Sequence, residues 1–390
     1  FQALKGKRIV VFGHDSMGME TALPHVSATR NQFGIEITRL DMKLLSDMLT
    51  KKSYDERELL KLKKWIKSGC LKLEIPEKSD EDNLDKSLAL YLIVRDMMKE
   101  LNAVGGGFMS QLEWGSDSRG IPLPVADIME SLFNSTFDHN GPKEVIPYAT
   151  EADVQALLTQ LFMTWLSGGN PPLFMDFRKV WEPNVIKEFA KQNKVKLTGK
   201  SIWEKKGFVD GVNSGSASFD WAALPGTPHN EIIGKFSFPK AGEYFSYMGN
   251  SVHFISPAGI EGIAARLAYS SLSGMFSLVW DEAETVLPPM KFSKLICETA
   301  NPTWPHTFVV PKHASMLEYK QYAPANHFHM TWNLKRNRLQ YWMDLTNVLS
   351  VTPWKEMPLF QEGVDRPIPL LYFINGGENN TKIKLIPLKK

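Results

Sequence analysis

The chain has 390 residues, 43% of them hydrophobic and 11% aromatic, which is enough to bury more than one core and, by length, to form two or three domains. Its 45 Lys and Arg against 43 Asp and Glu leave a formal charge of +2, so the basic footprint of a protein that binds nucleic acid or an anionic membrane is missing and a small-molecule partner is expected. The two cysteines, Cys70 and Cys297, stand far apart and in no CxxC or Cys/His spacing, which suggests neither a disulfide framework nor a zinc ribbon and fits a soluble protein of the reducing cytoplasm.

The sequence opens at Phe1 rather than Met, so its natural start is expected upstream and a targeting peptide is neither found nor excluded. Residues 8–12 form a β-branched run closed by Gly13, and a helix is expected at 21–30. A second strand-like piece at 34–40 and helices from 55 and over 78–101 follow, an alternation that predicts a sheet sandwiched by helices. The Gly105-Gly106-Gly107 run lacks GxGxxG spacing and reads as a flexible turn. Val154, Leu157, Leu158, Leu161, Phe162, Trp165 and Leu166 recur at helical spacing, with Thr150 and Asp153 in front as a capping box. Ser167-Gly168-Gly169-Asn170-Pro171-Pro172 stops that helix and marks a boundary between domains 1–166 and 167–390. Beyond it, 173–177 reads as a buried strand and 183–192 as a helix. The runs 236–238, 251–255, 265–269, 307–310 and 370–374 make the remainder mostly β. The most apolar long window, 262–280, contains Arg266 and several Ser and Gly, poor material for a membrane span.

Three residues invite a chemical reading beside an ordinary one. Glu151, at the start of the 154–166 helix, ordinarily complements the helix dipole. Asp176 is flanked by Phe174, Met175 and Phe177, and a carboxylate buried there needs a cation or a donor, with Arg178 expected on the opposite strand face. His327 and His329 share a strand face, and spacing alone does not choose between them as a ligand.

Read in order, Ser16-Met17-Gly18, Phe133-Asn134-Ser135-Thr136-Phe137-Asp138, Tyr148-Ala149-Thr150-Glu151-Ala152-Asp153, Phe174-Met175-Asp176-Phe177-Arg178 with Trp181-Glu182-Pro183, Asn213-Ser214-Gly215-Ser216, Glu243-Tyr244-Phe245, Trp304-Pro305 and Ala325-Asn326-His327 resemble the successive motifs of the L-fucose/D-arabinose isomerase family. The match runs from about residue 8 to about residue 330, over that family's middle and C-terminal domains. The resemblance implies an α/β chain with a doubly wound middle domain followed by a β-rich α+β C-terminal domain. It implies a metal-dependent aldose–ketose isomerase working through an enediol, with Glu151, Asp176 and His327 as ligands of Mn²⁺ or another divalent ion. Two carboxylates and one imidazole suit such an ion with positions left for sugar oxygens. The resemblance further implies that Glu151 and Asp176 double as acid/base groups and that Met17, Gln111, Ser214, Tyr244, Trp304 and Asn326 are substrate contacts, in a site expected in a cleft between the domains. A homo-oligomer, a hexamer as in the family, is implied, and no nucleic-acid or membrane partner.

The chain departs from the family in three places. The family's first domain, which helps to close the sugar pocket, is absent from these 390 residues. Phe108-Met109-Ser110-Gln111 replaces the relatives' Phe-Gln-Gly-Gln, so a polar contact is replaced by Met109 or moved to Gln111. After His327, Phe328-His329 and Asn333-Leu334 stand where the family has Gly and Gly-His. Two alternatives stay open at this point: a non-catalytic sugar-binding protein on the same scaffold, and a metal-dependent sugar aldolase or epimerase.

Overall fold

The computed structural model describes residues 4–13, 19–109, 123–212, 217–241, 249–271 and 273–352. Its N-terminal part is a parallel sheet with helices. The strands are β1 (Arg8–Phe12), β2 (Glu36–Leu40), β3 (Lys72–Leu73), β4 (Ala103–Phe108), β5 (Phe137–Asp138), β6 (Gly141–Pro142) and β7 (Tyr148–Ala149). Between them run α1 (Val26–Phe33), α2 (Met42–Thr50), α3 (Glu56–Gly69), α4 (Lys78–Glu100) and α5 (Asp127–Asn134). The main sheet has the order β2-β1-β4-β7, parallel throughout, so the chain reverses its direction of winding at β1, the doubly wound arrangement. The carboxyl ends of β1, β4 and β7 therefore point the same way, and in such sheets ligands gather at that edge.

Two local expectations give way to stronger forces. The first helix begins at Val26, not at 21, because Pro24 pushes the residue before it out of helical conformation. The glycine run is no turn but the inner strand β4, paired on one side with β1 and on the other with β7. Glycine is required there by close approach. A Cβ on Gly106 would stand 2.6 Å from the Tyr148 ring, and one on Gly107 would stand 2.8 Å from the Ala149 carbonyl. Gly107→Ala, which meets backbone rather than a movable side chain, is expected to destabilise the protein by about 1–3 kcal/mol in urea unfolding.

Helix α6 (Val154–Leu166) joins the two parts, and it is buried on nearly all sides because it lies between the parallel sheet and the β-rich part. That explains why its polar residues are also interior. Gln155 Oε1 accepts from the Tyr269 N–H at 2.9 Å, and Thr159 Oγ1 accepts from the Leu267 N–H at 2.9 Å. Backbone donors inside the fold need partners, and on the β14 side of β11 the strand pairing ends at Ala265, before these two.

The C-terminal part is a closed barrel. Its six strands are β8 (Leu173–Trp181), β9 (Phe208–Val212), β11 (Glu261–Ser270), β12 (Met275–Val286), β13 (His306–Pro311) and β14 (His327–Thr331), in the ring order β11-β14-β8-β9-β13-β12 with β12 returning to β11. Every pairing in the ring is antiparallel, and β15 (Leu349–Val351) adds to β12 in parallel. The short β10 (Ser237–Phe238) pairs with β3, and β5 pairs with β6. Five further helices are α7 (Pro183–Gln192), α8 (Ile202–Lys206), α9 (His229–Ile232), α10 (Met290–Ala300) and α11 (Met316–Tyr322), before α12 (Arg336–Thr346). Helices α7, α8 and α10 cover the barrel with a second core built on Trp181, Trp203, Phe208, Phe292 and Phe308. The 251–255 run forms only isolated bridges through His253 and Ile255, and 370–374 lies outside the described residues. Among the described residues no helix is long and apolar enough to cross a membrane.

Candidate active site

Glu151 follows β7 at the carboxyl edge of the parallel sheet, in a short turn at 150–152 and not in the helix expected to hold it. Its backbone is left-handed, with φ 60° and ψ 22°, and Ala152 follows at φ 50°. Two consecutive residues with side chains in that region are strained, by about 1–3 kcal/mol each, and such strain collects at functional positions. The sequence reading of a capping box fails here for a related reason. Asp153 alone caps α6, accepting from the Ala156 N–H at 2.8 Å, while Thr150 donates its hydroxyl to Glu130 at 2.6 Å.

The turn brings Glu151 to the barrel. His327 on β14 is paired in register with Asp176 on β8, so the two side chains leave the same face. The His327 Nε2 lies 3.5 Å from Glu151 Oε2, and its Nδ1 lies 2.7 Å from Asp153 Oδ2. All four residues are buried. Asn326, read as a sugar contact, donates its amide to Asp176 Oδ1 at 3.1 Å, and its carbonyl accepts from the Phe177 N–H. Two residues missed by sequence reasoning complete the group. Arg266 is buried and binds Asp153 through both terminal nitrogens, at 2.8 and 3.0 Å. A third bond runs from Arg266 Nη2 to the Thr21 carbonyl at 2.8 Å. The signal for Arg266 was present, since an arginine inside an apolar run requires an acidic partner.

Electrostatics follow from this packing. Burial alone would raise the Asp153 carboxyl, but the Arg266 guanidinium and His327 overcome it and hold it well below the usual carboxylate range. Burial opposes charge on His327, yet the hydrogen bond to Asp153 and the nearby Glu151 and Asp176 carboxylates lift its pKa above the ordinary imidazole value. His329, the other histidine of that strand face, has no hydrogen-bond partner at either ring nitrogen and packs against Phe174. Burial first, and Arg266 second, keep its pKa well below normal, so it is neutral. The structure thus separates two histidines that spacing could not.

A divalent ion would find suitable donors here: two carboxylates, and an imidazole whose Nδ1 is engaged by Asp153 so that Nε2 is the nitrogen left to coordinate. As they stand, no three His, Cys, Asp or Glu side chains among the described residues are arranged as a set of metal ligands. The donor chemistry of Glu151, Asp176 and His327 fits a divalent cation.

Of the remaining expected contacts, Trp304 is buried just ahead of β13, its carbonyl 2.8 Å from His253 Nδ1. Met17, Gln111, Ser214 and Tyr244 lie outside the described residues. In the chain they fall after the carboxyl ends of β1 and β4, after β9, and after Lys240.

Residues 7–168 match the family model for the second N-terminal domain of L-fucose isomerase. An L-fucose isomerase of Bacteroides fragilis is 24% identical over 409 residues, covering 93% of this chain and 66% of the relative. One from Clostridium perfringens is 26% identical, covering 83% and 60%, and one from Salmonella choleraesuis is 27% identical, covering 80% and 57%. The chain therefore spans less than two thirds of the length of these relatives.

Proposed function

Because the chain belongs to the L-fucose isomerase family, we propose that it is a metal-dependent aldose–ketose isomerase acting on a pentose or 6-deoxyhexose of the L-fucose/D-arabinose type. The observation that carries this reading is the meeting of Glu151, Asp176 and His327, drawn from three distant segments, at the carboxyl edge of the parallel sheet. In this reading Glu151, Asp176 and His327 hold Mn²⁺ or a similar divalent ion, which supplies Lewis-acid polarisation of the sugar carbonyl when bound.

The chain's own residues do the rest. One of the two carboxylates removes the proton from C2 of the open-chain aldose, and a proton is returned at C1 while the O2 proton passes to O1, so an enediol connects aldose to ketose without net loss of atoms. Asp153 holds the His327 ring by Nδ1 and Arg266 holds Asp153, so the imidazole enters the site in one orientation. Asn326 orients Asp176 by donating its amide to Oδ1. The same reading includes a cytoplasmic homo-oligomer, a hexamer as in the family, and a division of the chain at 166/167.

Metal analysis of the purified protein, followed by a ketose-formation assay with added Mn²⁺ over L-fucose, D-arabinose and related aldoses, tests the proposal. Bound metal with turnover is the expected result. A protein that takes up no metal and forms no ketose from any of these sugars is a sugar binder on this scaffold, and the isomerase reading is then wrong.

A further inference from the structure

We propose that the cleft between α10 and strands β8 and β9 receives the hydroxylated tail of the sugar, with Asp210 as the acceptor that reads it. The inference rests on the isomerase reading for the identity of its ligand class, but its observations are separate. The cleft has a volume of about 350 Å³, within the range of small-molecule sites, and its walls include Lys179, Trp181, Asp210, Thr299, Asn301 and Trp304.

Its position follows from strand register. His327, Asp176, Val212 and His306 form one row across β14, β8, β9 and β13, and Lys179, Asp210 and Phe308 form the next row on the same face. Asp210 is thus a diagonal neighbour of Asp176, a separation of about 7–8 Å between Cα atoms. An open-chain sugar whose C1 and C2 lie at Asp176 extends over that distance, and the cleft is where it arrives.

The chemistry of the walls selects hydroxyl groups. Asp210 is wholly buried; its Oδ1 accepts from His306 Nδ1 at 3.0 Å, while its Oδ2 has no hydrogen-bond partner. The Trp181 indole N–H, 2% exposed as a residue, has none either. A buried carboxylate oxygen and a buried indole donor without partners are rare enough to require a cause. His306 places Nε2 2.9 Å from the Asn301 carbonyl, so both ring nitrogens donate and the ring is an imidazolium. Burial opposes the charge on His306, but the adjacent Asp210 carboxylate raises its pKa to about 10. A cationic ligand is disfavoured because Lys179 already sets its ammonium 4.0 Å over the Trp181 ring. A neutral polyol matches both orphaned atoms, donating one hydroxyl to Asp210 Oδ2 and accepting from Trp181, with Trp304 against its C–H face. Lys179 stands on the exposed rim of the cleft.

Calorimetric titration of the full chain with D-arabinitol, a polyol that cannot be isomerised, tests the assignment. Asp210→Asn is expected to weaken binding about tenfold to a hundredfold, the loss of a hydrogen bond to a charged acceptor. Thr299→Trp, on the exposed rim, fills the cleft while leaving both members of the Asp210–His306 pair in the chain, and is expected to abolish binding at an unchanged melting temperature. Equal affinity of the wild type and both variants, or no binding of D-arabinitol to the wild type, overturns the assignment. Binding that depends on Asp210 and Thr299 in a protein that forms no ketose from any aldose leaves the cleft standing and the isomerase reading fallen. Ketose formation unchanged by both variants does the reverse.

Discussion

Glu151→Gln and Asp176→Asn are each expected to lower ketose formation about 10²–10⁴-fold, the usual loss when a positioned acid/base group is removed. Neither change alters side-chain volume much, and Asn at 176 keeps the oxygen that accepts from Asn326. Melting temperature and far-ultraviolet dichroism should therefore stay at wild-type values. Glu151 permits a sharper version of the test, because its left-handed backbone is strained for any residue with a side chain. Glu151→Gly should raise stability by about 1 kcal/mol in urea unfolding, the relief expected for an αL residue, while activity is lost. Opposite signs in the two assays are the signature of strain held for function. A Glu151→Gly protein that is less stable, or a Glu151→Gln enzyme with full turnover, would remove this residue from the site.

The second large effect concerns Arg266. The Asp153 carboxylate accepts four hydrogen bonds: Oδ1 from Ala156 N–H and Arg266, Oδ2 from Arg266 and His327. Arg266→Leu leaves this buried carboxylate without its guanidinium, and breaking one side of a buried pair destabilises by about 3–5 kcal/mol. Acid dependence supplies a check with a definite sign. The folded-state pKa of Asp153 is depressed, so its stabilising contribution is present above the unfolded value of about 3.9 and is lost as pH falls through the folded value. The stability gap between wild type and Arg266→Leu should accordingly be widest above about pH 5 and shrink on acidification below about pH 4. A gap under about 0.5 kcal/mol, the spread of ordinary surface substitutions, would refute a structural role for the pair.

Several elements were legible before the fold was known. The β-branched run of β1, the Pro183 start of α7 and the long α4 each carry their local signal in composition and spacing. Glycine misled at β4, since its role there is decided by the rings and carbonyls of β7, which local pattern does not contain. Closure of the barrel was equally invisible, because runs at 173–181, 261–270 and 327–331 look alike until register joins them. For the candidate site, the motif order singled out Glu151, Asp176 and His327, and the fold brings these three together. Asp153, the last residue of the Tyr148–Asp153 motif, was read only as part of a helix cap, and Arg266 lies in none of the motifs. Both matter through one another, and 113 residues of chain separate them.

The ring of strands also dictates when the site can come into being. Strand β8 finds one of its neighbours in β9 after a short excursion, but its other neighbour, β14, is synthesised about as late as any strand of the barrel. Asp176 must wait for Asn326 and His327 across 150 residues of chain. Contacts of that sequence separation form slowly and after the local ones, so the last seam of the barrel to close is the seam that holds Asp176 and His327 of the candidate site. A nascent chain halted before residue 327 would hold the parallel sheet and α6 yet be unable to bind at this site. Conversely, any ligand that grips both sides of the seam adds its binding free energy directly to the closed state, and protects from proteolysis the very strands that meet last.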